Sequence, residues 1–221
     1  MSANKGSKKW IQKLVNDHSE LLNSSIKKRL NLAEDETISW YSPKAEDDYL
    51  EYRDGAFLEK LGIKLEKYPL RDFWPKSGPR WDGLGKGSSG KIFLVEAKSH
   101  IPEMISSLKA TSKASKTKIL GSLEETKKWF GVKSDYDWTT PFYQYANRIA
   151  HVYLLRKNDL PAFLVNVHFL NDSEMDGPQS AVEWRGAIRL MHRCLGLREN
   201  LIENLVADVF IDVRRIEKTF T

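Results

Sequence analysis

Cysteine is almost absent from this sequence, since its 221 residues include only Cys194. A single thiol excludes a disulfide framework and fits a reducing compartment, so we expect a cytoplasmic location. Long apolar runs are missing too. The longest, at residues 161–170, is interrupted by Asn166 and His168, so no segment is expected to span a membrane. The N-terminus has lysines but no apolar core, which argues against a secretory signal.

Several catalytic and binding motifs are also missing. The sequence has no Walker A loop, no G-x-S-x-G nucleophile elbow and no zinc-finger spacing of Cys and His. What remains is a globular composition, with 41% hydrophobic and 29% charged residues. A formal net charge of +5 allows a polyanionic partner without identifying one.

Hydrophobic spacing predicts the order of helices and strands along the chain. Helices are predicted at 10–30 and 45–61, separated by an acidic, turn-rich stretch at 31–44. Strands are predicted at 63–70, 81–85 and 91–97, followed by a helical region at 103–133 and a helix at 140–157. A strand at 162–170, a helix at 181–195 and a strand at 205–213 complete the pattern.

This order predicts an α/β fold in which a mixed sheet contains an antiparallel meander and is flanked by helices on both faces. We expect residues 1–40 to form a helical N-terminal extension. Residues 41–221 are expected to form one domain, because no linker interrupts the chain after residue 40.

The pattern acid-x-Lys occurs twice, at Glu96-x-Lys98 and at Glu125-x-Lys127, which is about what chance gives. The second pair lies in a polar helical run and is expected to be solvated. The first pair ends an apolar strand, where side chains two residues apart share one face. Burying charge there is costly, so Glu96 and Lys98 need partners or a metal ion.

Asp82 is the expected neighbour of Glu96. If residues 88–90 form a hairpin loop, the two strands pair so that Asp82 lies directly opposite Glu96. Two facing carboxylates repel each other unless a cation lies between them. Oxygen ligands with no nearby His or Cys favour a hard ion, Mg²⁺ or Mn²⁺. The alternative is a metal-free ion-pair cluster of Asp82, Glu96 and Lys98.

Asp82 followed by Glu96-x-Lys98 on a hairpin resembles the PD-(D/E)xK nuclease superfamily, which has the restriction-endonuclease-like fold. The resemblance is closest over residues 45–100. It implies a metal-dependent nuclease that hydrolyses phosphodiester bonds in nucleic acid. We expect DNA as the substrate, with RNA as the alternative. It also implies that Asp82, Glu96 and the carbonyl group of Ala97 bind the metal ion, while Lys98 positions the attacking water.

Members of the superfamily often supply a further acid from the helix before the hairpin. In the predicted helix at 45–61, Asp47, Glu51 and Asp54 fall on one stripe, and Glu51 is our first candidate, with Asp54 second. A solvated acidic turn is the alternative interpretation. One departure from the superfamily is Trp81, which stands where its motif has proline.

A lysine stripe follows the candidate site in sequence. Lys109, Lys113 and Lys116 have i, i+4, i+7 spacing and would share one face of a helix, where they could hold the phosphates of a nucleic acid. A solvated helix face is the alternative.

Two further groups of polar residues lie on predicted helices. Gln144 and Arg148 are one turn apart and are candidates for contact with a phosphate, with ordinary solvation as the alternative. Arg185, Arg189 and Arg193 form a basic stripe that we interpret as a feature of solubility.

Two other functions stay compatible with these patterns. One is a non-catalytic nucleic-acid-binding module of the same fold, and the other is an interaction protein whose basic faces meet a protein partner. No membrane partner is expected. The resemblance allows a homodimer, although no dimerisation motif is visible in the sequence.

Overall fold

A five-stranded mixed sheet forms the centre of the computed structural model, which describes residues 2–198 and 202–217. The strands are β1 (Ile38–Ser42), β2 (Gly83–Gly87), β3 (Ile92–Lys98), β4 (Ala162–Leu170) and β5 (Val206–Asp212), and they lie in that order across the sheet. Strands β1 to β3 are antiparallel neighbours, whereas β3, β4 and β5 run parallel. The predicted α/β class with a mixed sheet is therefore confirmed.

Helices cover both faces of this sheet. In the described chain they are α1 (Gly6–Asp17), α2 (Ser19–Leu30), α3 (Gly55–Lys60), α4 (Leu70–Phe73), α5 (Lys113–Trp129), α6 (Tyr143–Lys157), α7 (Ala181–Cys194) and α8 (Val213–Glu217). Helices α1 and α2 pack on one face, and α5, α6 and α7 pack on the other. None of the helices within the described residues is long and apolar enough to cross a membrane.

The alternation of side chains along β3 decides which hydrophobic core each residue joins. Leu94 belongs to the core under α5, α6 and α7, whereas Val95 and Ala97 belong to the core under α1 and α2. Glu96 and Lys98 continue the Leu94 side of the strand, so their charges lie between the sheet and α6. The strand pattern therefore brings charge into an otherwise apolar layer.

The N-terminal helices are packed into the second core. Trp10, Leu14, Leu22 and Ile26 are almost completely buried there. Trp10 Nε1 also donates a hydrogen bond of 2.7 Å to Asp172 Oδ2, which ties α1 to the loop after β4. The segment before residue 40 therefore shares a core with the sheet, and the domain boundary predicted there stays a prediction.

The predicted helix at 45–61 is wrong, because the α-helix in this region is confined to α3. Asp48, Tyr49 and Asp54 adopt positive φ angles, a left-handed conformation that interrupts a right-handed helix. The acidic stripe that included Glu51 is therefore not a continuous helical face.

Three other predicted elements also differ from the structure. The predicted strand at 63–70 is irregular chain that leads into α4, and the first strand of the meander is β1, from the stretch interpreted as turns. The predicted helix at 10–30 divides at His18, whose backbone leaves the helical region. The predicted helical region at 103–133 contains α5 with irregular chain on both sides. The remaining predicted elements match β2 to β5, α6 and α7, with shifts at their ends.

We predict that Trp10→Phe lowers the free energy of unfolding by about 2 kcal/mol, because a buried carboxylate loses its hydrogen-bond donor. Asp172 Oδ1 already lacks a hydrogen-bond partner among the described residues, so the loss of the indole N–H leaves the carboxylate poorly satisfied. Urea denaturation measures the effect. Trp129→Phe, at a tryptophan that is 47% exposed, is the matched control and should change stability by less than about 0.5 kcal/mol. Equal losses in the two variants would contradict the prediction.

Candidate functional site

Asp82 immediately precedes β2, and Glu96 lies on β3 near the same end of the hairpin. The register pairs Gly83 with Val95, and the Asp82 N–H donates to the Val95 carbonyl at 3.1 Å. Asp82 Oδ2 accepts a hydrogen bond of 2.8 Å from the Ala97 N–H. The predicted register of the hairpin is therefore confirmed as far as Gly83 and Val95, and both acids lie beyond that pair at the same end of the hairpin. The directly opposed position of Asp82 and Glu96 stays a prediction.

Glu96 is only 5% exposed, and both of its carboxylate oxygens have cationic partners. Oε2 accepts from Arg148 Nε at 2.6 Å, and Oε1 accepts from Lys98 Nζ. Arg148 is itself held in place, because it donates to the Arg80 carbonyl at 2.8 Å and its guanidinium lies 4.9 Å from the centre of the Trp81 ring. Burial alone would raise the pKa of Glu96, but Arg148 and Lys98 outweigh burial and lower it. Glu96 is therefore ionised in a buried setting.

Asp82 shows the opposite behaviour. Burial and the neighbouring Glu96 carboxylate raise the pKa of Asp82 to about 7. Lys98, the Ala97 N–H and Arg148 lower this pKa, but they offset only part of the increase. The site therefore holds one carboxylate that is firmly ionised and a second whose charge is incompletely compensated at neutral pH.

A small cavity of about 30 Å³ lies beside these residues, enough for one or two water molecules. Its polar lining includes Glu96, Lys98, Gln144, Arg148, Asn166 and His168. Gln144 and Arg148, the two helix residues predicted to contact a phosphate, thus face the same space as the acid-x-Lys pair. Helix α6 positions both, because they are one turn apart near its beginning.

Sequence reasoning missed a polar row that crosses the parallel strands. Asn166 of β4 is in register with Glu96 of β3 and with Asp208 of β5, and His168 is in register with Lys98. Asn166 Nδ2 donates to Asp208 Oδ1 at 2.9 Å, and His168 Nε2 lies 3.0 Å from the same oxygen. Burial would raise the pKa of Asp208, but His168 and Asn166 outweigh it and lower the pKa.

A signal for this row is present in the sequence. Asn166 and His168 interrupt an apolar strand at alternate positions, which is the same spacing as Glu96 and Lys98. Polar residues on one face of a strand that is otherwise buried indicate a polar site, because burying them without partners is costly.

The two acids proposed from the helix before the hairpin have partners of their own. Glu51 forms an ion pair of 2.9 Å with Lys8 of α1. Asp54 accepts hydrogen bonds from the Ser77 and Gly78 N–H groups at 3.1 and 2.8 Å and so holds that loop in place. Neither acid lines the small cavity. A catalytic role for Glu51 stays a prediction.

The predicted lysine stripe is not a continuous helical face. Helix α5 begins at Lys113, so Lys109 lies in irregular chain before it, while Lys113 and Lys116 lie in its first turn. All three lysines are exposed, and none lines the small cavity. Their contact with nucleic acid stays a prediction.

Among the described residues, the candidate site around Asp82 and Glu96 offers few groups that could bind a metal ion. Across 2–198 and 202–217, no group of three or more His, Cys, Asp or Glu side chains is arranged to hold a metal ion. The acidic side chains available are those of Asp82 and Glu96. The Ala97 carbonyl, which the resemblance adds as a ligand, stays a prediction.

Comparison with known proteins does not assign the chain to a family. No protein-family model matches it, and no curated protein or solved structure gives a significant match. Any functional conclusion therefore depends on the chemistry of the site itself.

We predict that Arg148→Met lowers the free energy of unfolding by about 3–5 kcal/mol, because it removes the main cationic partner of a buried carboxylate. Lys98→Met should cost less than about 1.5 kcal/mol, since Arg148 still pairs with Glu96. Chemical denaturation at pH 7 in the presence of a chelator measures both values. A larger loss for Lys98→Met would show that Lys98, rather than Arg148, is the structural partner of Glu96.

Proposed function

We propose that this protein is a divalent-metal-dependent nuclease of restriction-endonuclease-like fold, which hydrolyses phosphodiester bonds in DNA. The observation that carries the proposal is that the hairpin of β2 and β3 brings Asp82 close to Glu96, where Asp82 accepts a hydrogen bond from the Ala97 N–H and the Glu96 charge raises its pKa. Lys98 follows on the Glu96 face of the strand and bonds to it. An antiparallel meander that continues into parallel strands, with helices on both faces, is consistent with the same superfamily.

The residues present are compatible with a hard divalent ion. Asp82 and Glu96 offer carboxylate oxygens, and the resemblance adds the Ala97 carbonyl, which is the ligand type that Mg²⁺ and Mn²⁺ prefer. The raised pKa of Asp82 marks negative charge that a cation would stabilise. When bound, such an ion supplies Lewis-acid stabilisation for charge that develops on a phosphate.

The side chains of this protein have separate tasks in the proposed reaction. Lys98 lines the cavity, where its ammonium group can donate to the attacking water or to a phosphate oxygen. Arg148, held by the Arg80 carbonyl and the Trp81 ring, keeps the Glu96 carboxylate ionised. The buried position of these groups strengthens their electrostatic effect, because little water screens them.

A non-catalytic nucleic-acid-binding module of the same fold is the second candidate, and one observation favours it. Both oxygens of Glu96 are already paired, with Arg148 and with Lys98, so a metal ion must compete with one of these partners. In the non-catalytic alternative, the cluster is a permanent ion pair that stabilises the packing of α6 on the sheet.

Cleavage of DNA by the purified full chain separates the two candidates. We expect cleavage in Mg²⁺ or Mn²⁺ and none in the presence of a chelator. Lys98→Met and Asp82→Asn should each lower the rate by about 100-fold or more, because each removes a group that acts on the developing charge. Lys128→Met, at an exposed lysine of α5, is the matched control and should leave the rate unchanged.

The outcomes of this assay are distinct. Binding of DNA without cleavage in either metal ion would support the non-catalytic module. Cleavage that survives Lys98→Met would contradict the role given to Lys98. RNA substrates measured in parallel test the preference for DNA.

A further prediction concerns pH. The pKa of Asp82 is about 7 in the folded protein, compared with an ordinary value of 3.8. The folded state therefore holds this proton more tightly than the unfolded state does. Without metal, the contribution of Asp82 to stability is present below about pH 4 and is lost as the pH rises to about 7.

Asp82→Asn tests this linkage, because it keeps an oxygen acceptor and removes the charge. In chelator at pH 8, the variant should be more stable than the parent by about 1–3 kcal/mol. Added Mg²⁺ should raise the melting temperature of the parent protein but not that of the variant. A variant that is less stable than the parent at pH 8 would show that the Asp82 carboxylate is a stabilising partner instead.

A further inference from the structure

A groove of about 340 Å³ lies at the edge of the sheet formed by β5. Its rim carries Arg29, from the end of α2, and Arg185 and Arg189, from α7. Its apolar floor includes Ile188 and Phe210. Because α2 and α7 pack on opposite faces of the sheet, cations from both faces meet at this edge.

The arginines of the groove are exposed to solvent. Arg185 and Arg189 are one helical turn apart, and the Arg185 guanidinium lies 5.2 Å from the centre of the Phe210 ring. Arg29 donates a hydrogen bond of 3.5 Å to the carbonyl of Glu203. The Glu203 side chain also lines the groove, so its rim combines three guanidinium groups with one exposed carboxylate.

Asp208 connects this groove to the candidate functional site. It lines the groove, and its Oδ1 bonds to Asn166 and His168, which line the small cavity together with Glu96 and Lys98. Among the described residues that line the groove, three arginines outnumber the two carboxylates of Glu203 and Asp208, so the formal charge is positive. Asp208 on the groove is therefore in direct contact with two residues that line the small cavity.

We propose that this groove binds the phosphodiester backbone of a nucleic-acid strand, with arginines on the phosphates and a base against the apolar floor. The inference rests on the proposed nuclease function and deepens it, because it assigns the substrate strand a binding surface at β5, two strands away from Glu96 and Lys98 of β3. Guanidinium groups bind phosphate oxygens in a forked geometry. An aromatic side chain such as Phe210 contributes contact with a base. The volume suits a ligand of nucleotide size.

The proposal gives different roles to the arginines in the basic stripe of α7. Arg185 and Arg189 line the groove, whereas Arg193, one turn further along the same helix, is exposed and does not line it. Arg193 therefore provides a control with the same charge, the same helix and similar exposure.

The test is the binding of a fluorescent single-stranded DNA oligonucleotide to the full chain, measured in chelator over a range of salt concentrations. The double variant Arg185→Ala/Arg189→Ala should bind about 10-fold or more weakly, and its slope of log affinity against log salt should fall by about 1.4. Arg29→Ala should weaken binding by about 3-fold. Arg193→Ala should stay within about 2-fold of the parent.

Each outcome bears on the groove or on the nuclease proposal. If the parent binds and cleaves DNA while the double variant has the affinity and salt dependence of the parent, the groove does not bind nucleic acid. The nuclease proposal then stands. If the parent neither binds nor cleaves, both are overturned. If Arg193→Ala weakens DNA binding as much as the double variant does, the effect is one of general charge, and the proposed binding role of the groove is overturned. Thermal denaturation of each variant verifies that these exposed substitutions leave the fold intact.

Discussion

A carboxylate buried between a sheet and a helix is the constraint on which this structure depends. Removing an ionised group from water costs several kcal/mol unless a cation and hydrogen bonds compensate for it. Lys98 on the same strand meets part of this requirement for Glu96. Arg148 meets the rest when α6 packs on the sheet, with the Arg80 carbonyl and the Trp81 ring holding the guanidinium. The contact that orders α6 on the sheet is therefore the same contact that builds the candidate site.

The same arrangement shifts the pKa values of the two carboxyl groups of the hairpin in opposite directions. Arg148 and Lys98 form hydrogen bonds with Glu96 and lower its pKa. Asp82 instead accepts a hydrogen bond from the Ala97 N–H, and burial together with the nearby charge of Glu96 raises its pKa. Paired carboxyl groups whose environments separate their proton affinities are typical of acid–base and metal sites. The negative charge of Asp82 is consequently compensated at neutral pH by either a bound proton or a bound cation.

Local spacing is sufficient to predict the part of the site that lies on the hairpin. A short loop between two strands determines which residues face each other, so the register as far as Gly83 and Val95, next to the two acids, can be predicted from the sequence. Long-range contacts are different. The partners of Asp208 lie about 40 residues away in the chain, and Asn166 and His168 appear in the sequence only as breaks in an apolar run. The helix predicted at 45–61 fails for another reason, because left-handed residues such as Asp48 leave no trace in hydrophobic spacing.

The uncompensated charge of Asp82 bears directly on the choice between a structural cluster and a functional one. In a cluster that only stabilises packing, a second carboxylate close to Glu96 carries a cost, because burial and the charge of Glu96 raise the pKa of Asp82 and reduce stability at neutral pH. An asparagine at this position would accept the Ala97 N–H equally well without that repulsion. Strongly perturbed carboxyl groups of this kind concentrate at functional sites. The raised pKa of Asp82 therefore supports the proposal that a cation or a transferable proton acts at this position.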